Sequence, residues 1–243
     1  MANDTQDILF ISDLHLEKVR PEIVDIFTRF LRNDASKAQS LYILGDLFEV
    51  WVGDDHPVDG LDEALQALKD LQDTVPVYFI HGNRDFMLGE KFAKAHHMQL
   101  IDEHTVIDLF GRKALIMHGD TLCTDDIEYQ QFRKHIRNPD VQAEFLQHPL
   151  EARLAQARGM REESASRTAA KDTMITDVNQ DEVERIMTEF DVDLLIHGHT
   201  HRPDTHTLTV NDRAAERIVL SDWYEHGQVL RCNASGFTSE ILQ

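Results

Sequence analysis

Several things this sequence has little of limit what it can be. It holds two cysteines in 243 residues, Cys123 and Cys232. They lie far apart, match no metal-binding spacing, and read as reduced thiols of a cytoplasmic protein. No apolar run approaches the roughly 18 residues of a membrane span. The opening "MANDTQDILF" lacks the basic start and apolar core of a secretory signal, so none is expected. Repeats and low-complexity tracts are missing too. Positive charge is scarce, 24 Lys and Arg against 44 Asp and Glu, for a net charge of −20. That balance speaks against nucleic-acid binding, which needs a basic footprint, and against adhesion of the whole surface to anionic lipid.

What remains is an ordinary soluble composition, 42% hydrophobic and 28% charged, long enough for one sizeable domain with a full core. Its charge is unevenly spread. Residues 130–171 hold eight basic and five acidic residues, a local +3 that leaves −23 for the rest, and such asymmetry points to a special surface. Short β-rich runs ("DILFISDL", "SLYILGDLF", "VPVYFIHGN") alternate with helical patterns, one of them starting at Pro21. Later runs ("HTVIDLFGRKALIMHGD", "THTLTV", "ERIVLSD", "GQVLRC") carry hairpin signals. This order predicts an α/β fold with mixed sheets. The stretch from about 124 to 190 has no convincing strand. Its apolar residues fall at helical spacing, Phe132 with Ile136 and Leu150 with Leu154, so it reads as helices inserted between core strands.

Five apolar runs end in groups able to bind metal. "ISDLHL" brings Asp13 and His15, "LGDLF" Asp46, "IHGNRD" Asn83 and Arg84, "MHGD" His118, and "HGHTHRP" His199 and His201. On an extended strand, residues two apart share a face, so Asp13 and His15 are expected to project together. Loops at the carboxyl ends of strands line the crevice of an open α/β sheet. Singly, Asp46 reads as well as a turn residue or helix cap, and Asn83 as a left-handed turn residue. As an ordered set of seven Asp, His and Asn ligands without a thiolate, they suit two borderline divalent ions sharing a carboxylate, an arrangement able to hydrolyse a phosphoryl centre.

In this order, "DLH", "GD", "GNR", "MHGD" and "GHTH", the chain resembles the calcineurin-like metallophosphoesterases. The resemblance implies a single domain over 1–243, a four-layer αββα sandwich of two mixed sheets, with residues 124–190 as a helical lid. It implies two divalent ions, most readily Mn2+: Asp13, His15, Asp46 and His201 hold one, and Asp46, Asn83, His118 and His199 the other. One position departs from the pattern, because the histidine usual after Gly-Asn is Arg84. Arginine is a poor general acid but forks well onto phosphate oxygens, which suits a leaving group that needs little protonation. With "GDLFEVWVGDD", the insertion and the run "ESASRTAAKDTMITDV", this departure resembles the branch of the family that hydrolyses UDP-2,3-diacylglucosamine by attack on the α-phosphorus, giving UMP and 2,3-diacylglucosamine 1-phosphate in lipid A synthesis.

On that resemblance Asp46, Asn83, Arg84 and His118 are the catalytic set. Asn83, Arg84, Asp126, Ser164, Thr168, Lys171 and His199 touch substrate, joined by Tyr129, one helical turn from Asp126. Phe132, Ile136, Phe145, Leu146 and Met160 either line a groove for acyl chains or simply pack the insertion on the core. The expected protein is a monomer bound peripherally to the cytoplasmic face of the inner membrane. Asp54, Asp55, Asp85 and Asp120 read equally as partners that orient ligand histidines and as structural turn residues. His81 and His197 read as packed core residues, and His96, His97, His104 and His226 as surface residues. Two rival readings are a nucleotide-sugar pyrophosphatase indifferent to lipid and an inactive metal- or nucleotide-binding module.

Overall fold

All four residues of strand β1 (Ile8–Ile11) are buried, and they alternate between two apolar clusters, Ile8 and Phe10 in one, Leu9 and Ile11 in the other. A strand apolar on both faces is central and covered on both sides. In the computed structural model, which describes residues 6–71, 74–169 and 175–243 and only the backbone of 163–169, β1 pairs in parallel with β2 (Ser40–Ile43). Beyond β2 lie β3 (Val77–Phe79) and β4 (Met98–Leu100), also parallel. On its other edge β1 pairs antiparallel with β10 (Gly227–Asn233), which forms a hairpin with β11 (Gly236–Leu242). The second sheet runs in the order β5 (Thr105–Leu109), β6 (Arg112–Ile116), β7 (Leu194–His197), β9 (Arg213–Val219), β8 (Asp204–Val210), with parallel pairs at its centre and antiparallel pairs at both edges.

The sheets face each other across a core that includes Phe10, Leu44, Ile80, Ile116, Ile196 and Leu230. Helices α1 (Pro21–Asn33), α2 (Asp62–Lys69) and α3 (Glu90–Ala95) cover the outer face of the first sheet. Helix α7 (Gln180–Glu189) covers the second, burying Val183, Ile186 and Met187 against Leu115 and Leu195. The result is the four-layer αββα sandwich of two mixed sheets. Pro21 occupies the first turn of α1, where its missing N–H costs nothing.

Between β6 and α7 stand α4 (Ile127–Ile136), α5 (Pro139–Leu146) and α6 (Leu150–Ala169). Asp126 caps α4 by accepting from the Tyr129 amide at 3.1 Å, and Asn138 caps α5 ahead of Pro139. The helical stretch expected at 124–190 therefore divides by packing. Its last helix belongs to the core layers, and the three before it protrude. Among the described residues no helix is long and apolar enough to cross a membrane.

Candidate metal centre

Five loops bring the seven groups named above together. Asp46 stands in the middle: its Oδ2 lies 3.9 Å from His15 Nε2 and its Oδ1 3.8 Å from His118 Nε2. On the first side His15 Nε2 and His201 Nε2 are 3.4 Å apart, and His201 Nε2 is 3.4 Å from Asp13 Oδ1. On the second side Asn83 Oδ1 is 3.0 Å from His118 Nε2 and 2.8 Å from His199 Nδ1. Two triads, Asp13–His15–His201 and Asp13–Asp46–His118, have donor atoms close enough to share an ion.

The backbone that achieves this is not the expected one. β1 ends at Ile11, and Asp13 and His15 adopt φ of 55° and 50°, so they do not converge as alternate residues of an extended strand. Asp46, His199 and His201 are also left-handed, at 53°, 70° and 54°. Non-glycine residues in this region cost of order 1–3 kcal/mol each and persist where the surroundings over-determine them. Here tight hydrogen bonds do so. Asp13 N–H donates to Gly45 O at 3.1 Å, His15 N–H to Asp46 O at 3.0 Å, and Gly198 N–H to His118 O at 2.8 Å. Two glycines make the approach possible: a Cβ on Gly82 would sit 2.1 Å from Asp46 Oδ1, and one on Gly198 2.2 Å from Asp13 Oδ2.

The electrostatics fit a cation. Asp13, Asp46 and His118 are all buried, and Asp13 Oδ1 has no hydrogen-bond partner among the described residues. Burial alone would raise the Asp13 carboxyl, but contact with His201 and the charges of His118 and His15 hold it below the usual carboxylate range. Burial likewise opposes charge on His118, yet Asp46, Asp13 and Asp120 push it up to about 9. Buried carboxylates that draw a proton onto an imidazole mark a pocket short of positive charge. Nitrogen and oxygen donors without sulfur suit borderline divalent ions. His118 Nδ1 lies 2.8 Å from Leu44 O; this contact fixes its tautomer and turns the Nε2 lone pair inward.

The neighbouring residues differ from expectation in several places. Asp85 accepts from the amides of Asp46, Leu47 and Gly82 and so ties two ligand loops together, touching no ligand histidine. Asp54 caps α3 through Gly89 and Phe92, and Asp55 pairs with Arg153. Asp120 receives the Tyr129 hydroxyl at 2.9 Å and Arg133 Nε at 2.7 Å. The carboxylate that does meet a ligand histidine is Glu49, whose Oε2 is 2.8 Å from His15 Nδ1. The only sequence signal for it is a lone charge within the apolar run "LFEVW". Tyr224, also absent from the sequence reading, stacks on His15 at 5.2 Å with the Arg20 guanidinium 4.9 Å from its ring. His197 is a packed core histidine, bonded to Gly198 O and Arg217. His81 is only half-buried, and His96, expected at the surface, is buried against Phe92.

Beside Asn83 and Arg84 opens a cavity of about 510 Å³ between the core and the three protruding helices. Phe132, Ile136, Phe145 and Met160 line it, while Leu146 stands outside the lining and is 46% exposed. Tyr129 also lines it, its ring 5.9 Å from that of His199 and its hydroxyl engaged by Asp120. Arg84 Nε is buried there without a hydrogen-bond partner among the described residues. Four of the eight basic residues of 130–171 turn out to bind the insertion to the core: Arg133 meets Asp120 and Glu103, Arg137 Gly82 O, Arg153 Asp55, and Arg161 Glu49. Lys171 and the side chains of Ser164 and Thr168 lie outside the described residues.

The calcineurin-like phosphoesterase profile matches residues 7–203. A UDP-2,3-diacylglucosamine hydrolase of Stenotrophomonas maltophilia (strain K279a) is 52% identical over 242 residues, covering 96% of this chain and 98% of its own. Proteins of the same name from Serratia proteamaculans (strain 568) and Cellvibrio japonicus (strain Ueda107) are 51% and 52% identical. They cover 97% and 94% of this chain, and 98% and 95% of their own.

Proposed function

This chain belongs to the calcineurin-like phosphoesterase family, whose members use divalent metal ions, and on that premise we propose that it hydrolyses UDP-2,3-diacylglucosamine to UMP and 2,3-diacylglucosamine 1-phosphate, a step of lipid A synthesis. The observation that carries this reading is one juxtaposition: a two-sided cluster of ligand groups opens directly onto an apolar cavity large enough for acyl chains.

Asp13, His15, Asp46 and His201 would hold one ion and Asp46, Asn83, His118 and His199 the other, with manganese the preferred metal. When bound, the two ions supply Lewis-acid polarisation of phosphoryl oxygens and lower the pKa of water. The chain's own residues do the rest. Asp46 directs one carboxylate oxygen to each side and is held in place by the Arg84 amide at 2.8 Å. Arg84, its Nε without a hydrogen-bond partner among the described residues, clamps the diphosphate. Water adds to the α-phosphorus, the bridging P–O bond breaks, and the glucosamine 1-phosphate leaves as a stabilised anion, so a fixed cation serves better than an acid. Tyr129 lines the cavity and Asp126 caps the helix that carries it, and Ser164, Thr168 and Lys171 would approach from the insertion.

The protruding helices act as a lid whose apolar lining takes the acyl chains. Exposed Ile127, Phe132 and Leu146, with exposed Lys134, give the insertion a surface suited to peripheral contact with an anionic membrane face. The seven proposed ligands converge within one chain, so the centre needs no second copy, and we take the protein to act as a monomer. The test is a panel of diphosphates with manganese. Release of UMP from the diacylated substrate, with little from the non-acylated sugar nucleotide, is expected. Equal turnover of both would replace the lipid reading with that of a general nucleotide-sugar pyrophosphatase. Sedimentation with anionic vesicles at low salt checks the membrane contact, which fails if all protein stays in the supernatant.

A further inference from the structure

The two sides of the metal centre orient their histidines by different means. His118 is fixed by a backbone carbonyl, Leu44 O, at the end of a central strand. His15 is fixed by a side chain, Glu49, which is 2% exposed. The two Glu49 oxygens point different ways: Oε2 lies 2.8 Å from His15 Nδ1, and Oε1 lies 2.5 Å from Arg161 Nη2 on α6. A carboxylate on Nδ1 holds the proton there and leaves Nε2, 3.4 Å from His201 Nε2, to face the cluster. A buried carboxylate also needs its charge answered, and beyond His15 that answer includes Arg161, from a helix whose described side chains, Arg153 apart, are not buried.

We propose that Glu49 is a positioning residue for His15 and that, through Arg161, it makes the readiness of the His15 side of the metal centre depend on the docking of α6. The inference rests on the ligand assignment proposed above. Its physical content is an asymmetry between two imidazoles: the His118 ring is oriented by a core carbonyl, and the His15 ring by a carboxylate that is itself in contact with the insertion. With α6 docked, Glu49 is neutralised at Oε1 and its Oε2 stays on His15. With α6 released, Glu49 loses a partner and is free to turn toward Arg84, the other cation whose charge acts on it, leaving the imidazole unheld.

Mn2+ alone, titrated into the full chain by calorimetry and electron paramagnetic resonance, tests this without turnover. Glu49→Ala should weaken one of the two ions about 10–100-fold and leave the other unchanged. Glu49→Gln retains an acceptor for the Nδ1 proton and should keep most of the affinity. Arg161→Ala should weaken the same ion by a smaller factor. Two ions at wild-type affinity in Glu49→Ala would overturn the positioning role. So would an equal loss of both ions, or a Gln variant as weak as Ala. Unchanged binding in Arg161→Ala would overturn the link to α6. His15→Ala separates the two levels: if it binds both ions normally, the ligand assignment itself falls. If it loses one while Glu49→Ala loses none, only the present inference falls.

Discussion

Helix α1 sinks six of its 13 residues into the core, whereas α4, with 10 residues, and α5, with 8, bury none. One part of the molecule is held by apolar area, at about 25 cal/mol per Å². The other stands on arginines that reach acids and carbonyls of the core, together with whatever fills the cavity beneath it. The difference matters because the candidate chemistry lies on the first part and the candidate lipid site on the second. Strained loops need a rigid frame to hold them. A helical cover that must admit and release acyl chains is better fastened by contacts that open at low cost.

Four substitutions probe this contrast. The largest effect is expected for Asp46→Ala, which should abolish UMP release and empty the metal centre by elemental analysis while the fold persists. A variant that keeps both ions and activity would break the assignment of the chemistry to the frame. Next, Phe10→Ala, fully buried between the sheets, should cost about 3–5 kcal/mol in urea unfolding. Asp120→Ala removes the acceptor of both Tyr129 and Arg133. About 1–3 kcal/mol of local stability should be lost, seen as faster amide exchange over 127–136 with slower change elsewhere. If exchange accelerated equally through the sheets, the insertion would not be separately fastened. Smallest in stability is Phe132→Ala, 41% exposed, expected to shift unfolding by no more than about 0.5 kcal/mol. Its KM for the diacylated substrate should nevertheless rise, with hydrolysis of a non-acylated diphosphate unchanged.

The contrast also explains what could be read from the chain itself. The core strands and helices announced themselves by period: the both-sides-apolar "ILFI" of β1 and the Pro21 start of α1 were legible because burial and capping act on neighbours in sequence. The seven convergent groups were legible as an ordered set, but the reason offered for Asp13 and His15 was wrong, since left-handed backbone and not strand alternation brings them together. Left-handed φ at an aspartate or histidine leaves no mark in the sequence. The role of Glu49 was invisible, and the choice between orienting and structural roles for Asp54, Asp55, Asp85 and Asp120 stayed open, for one reason: which partner a carboxylate meets is fixed by chain crossings dozens of residues apart.

The sequence by itself determined the α/β class with mixed sheets and the order of the candidate ligand motifs, and through those motifs the family resemblance that implied the four layers, because hydrophobic period and short motifs are local properties that survive reading in one dimension. Only the tertiary structure decided that the insertion's last helix belongs to the core, that four of the eight basic residues of 130–171 fasten the insertion to the core, and that Glu49 joins α6 to His15. The first depends on apolar packing between distant elements and the other two on Coulombic and hydrogen-bond contacts within about 3 Å, ranges over which sequence separation carries no information.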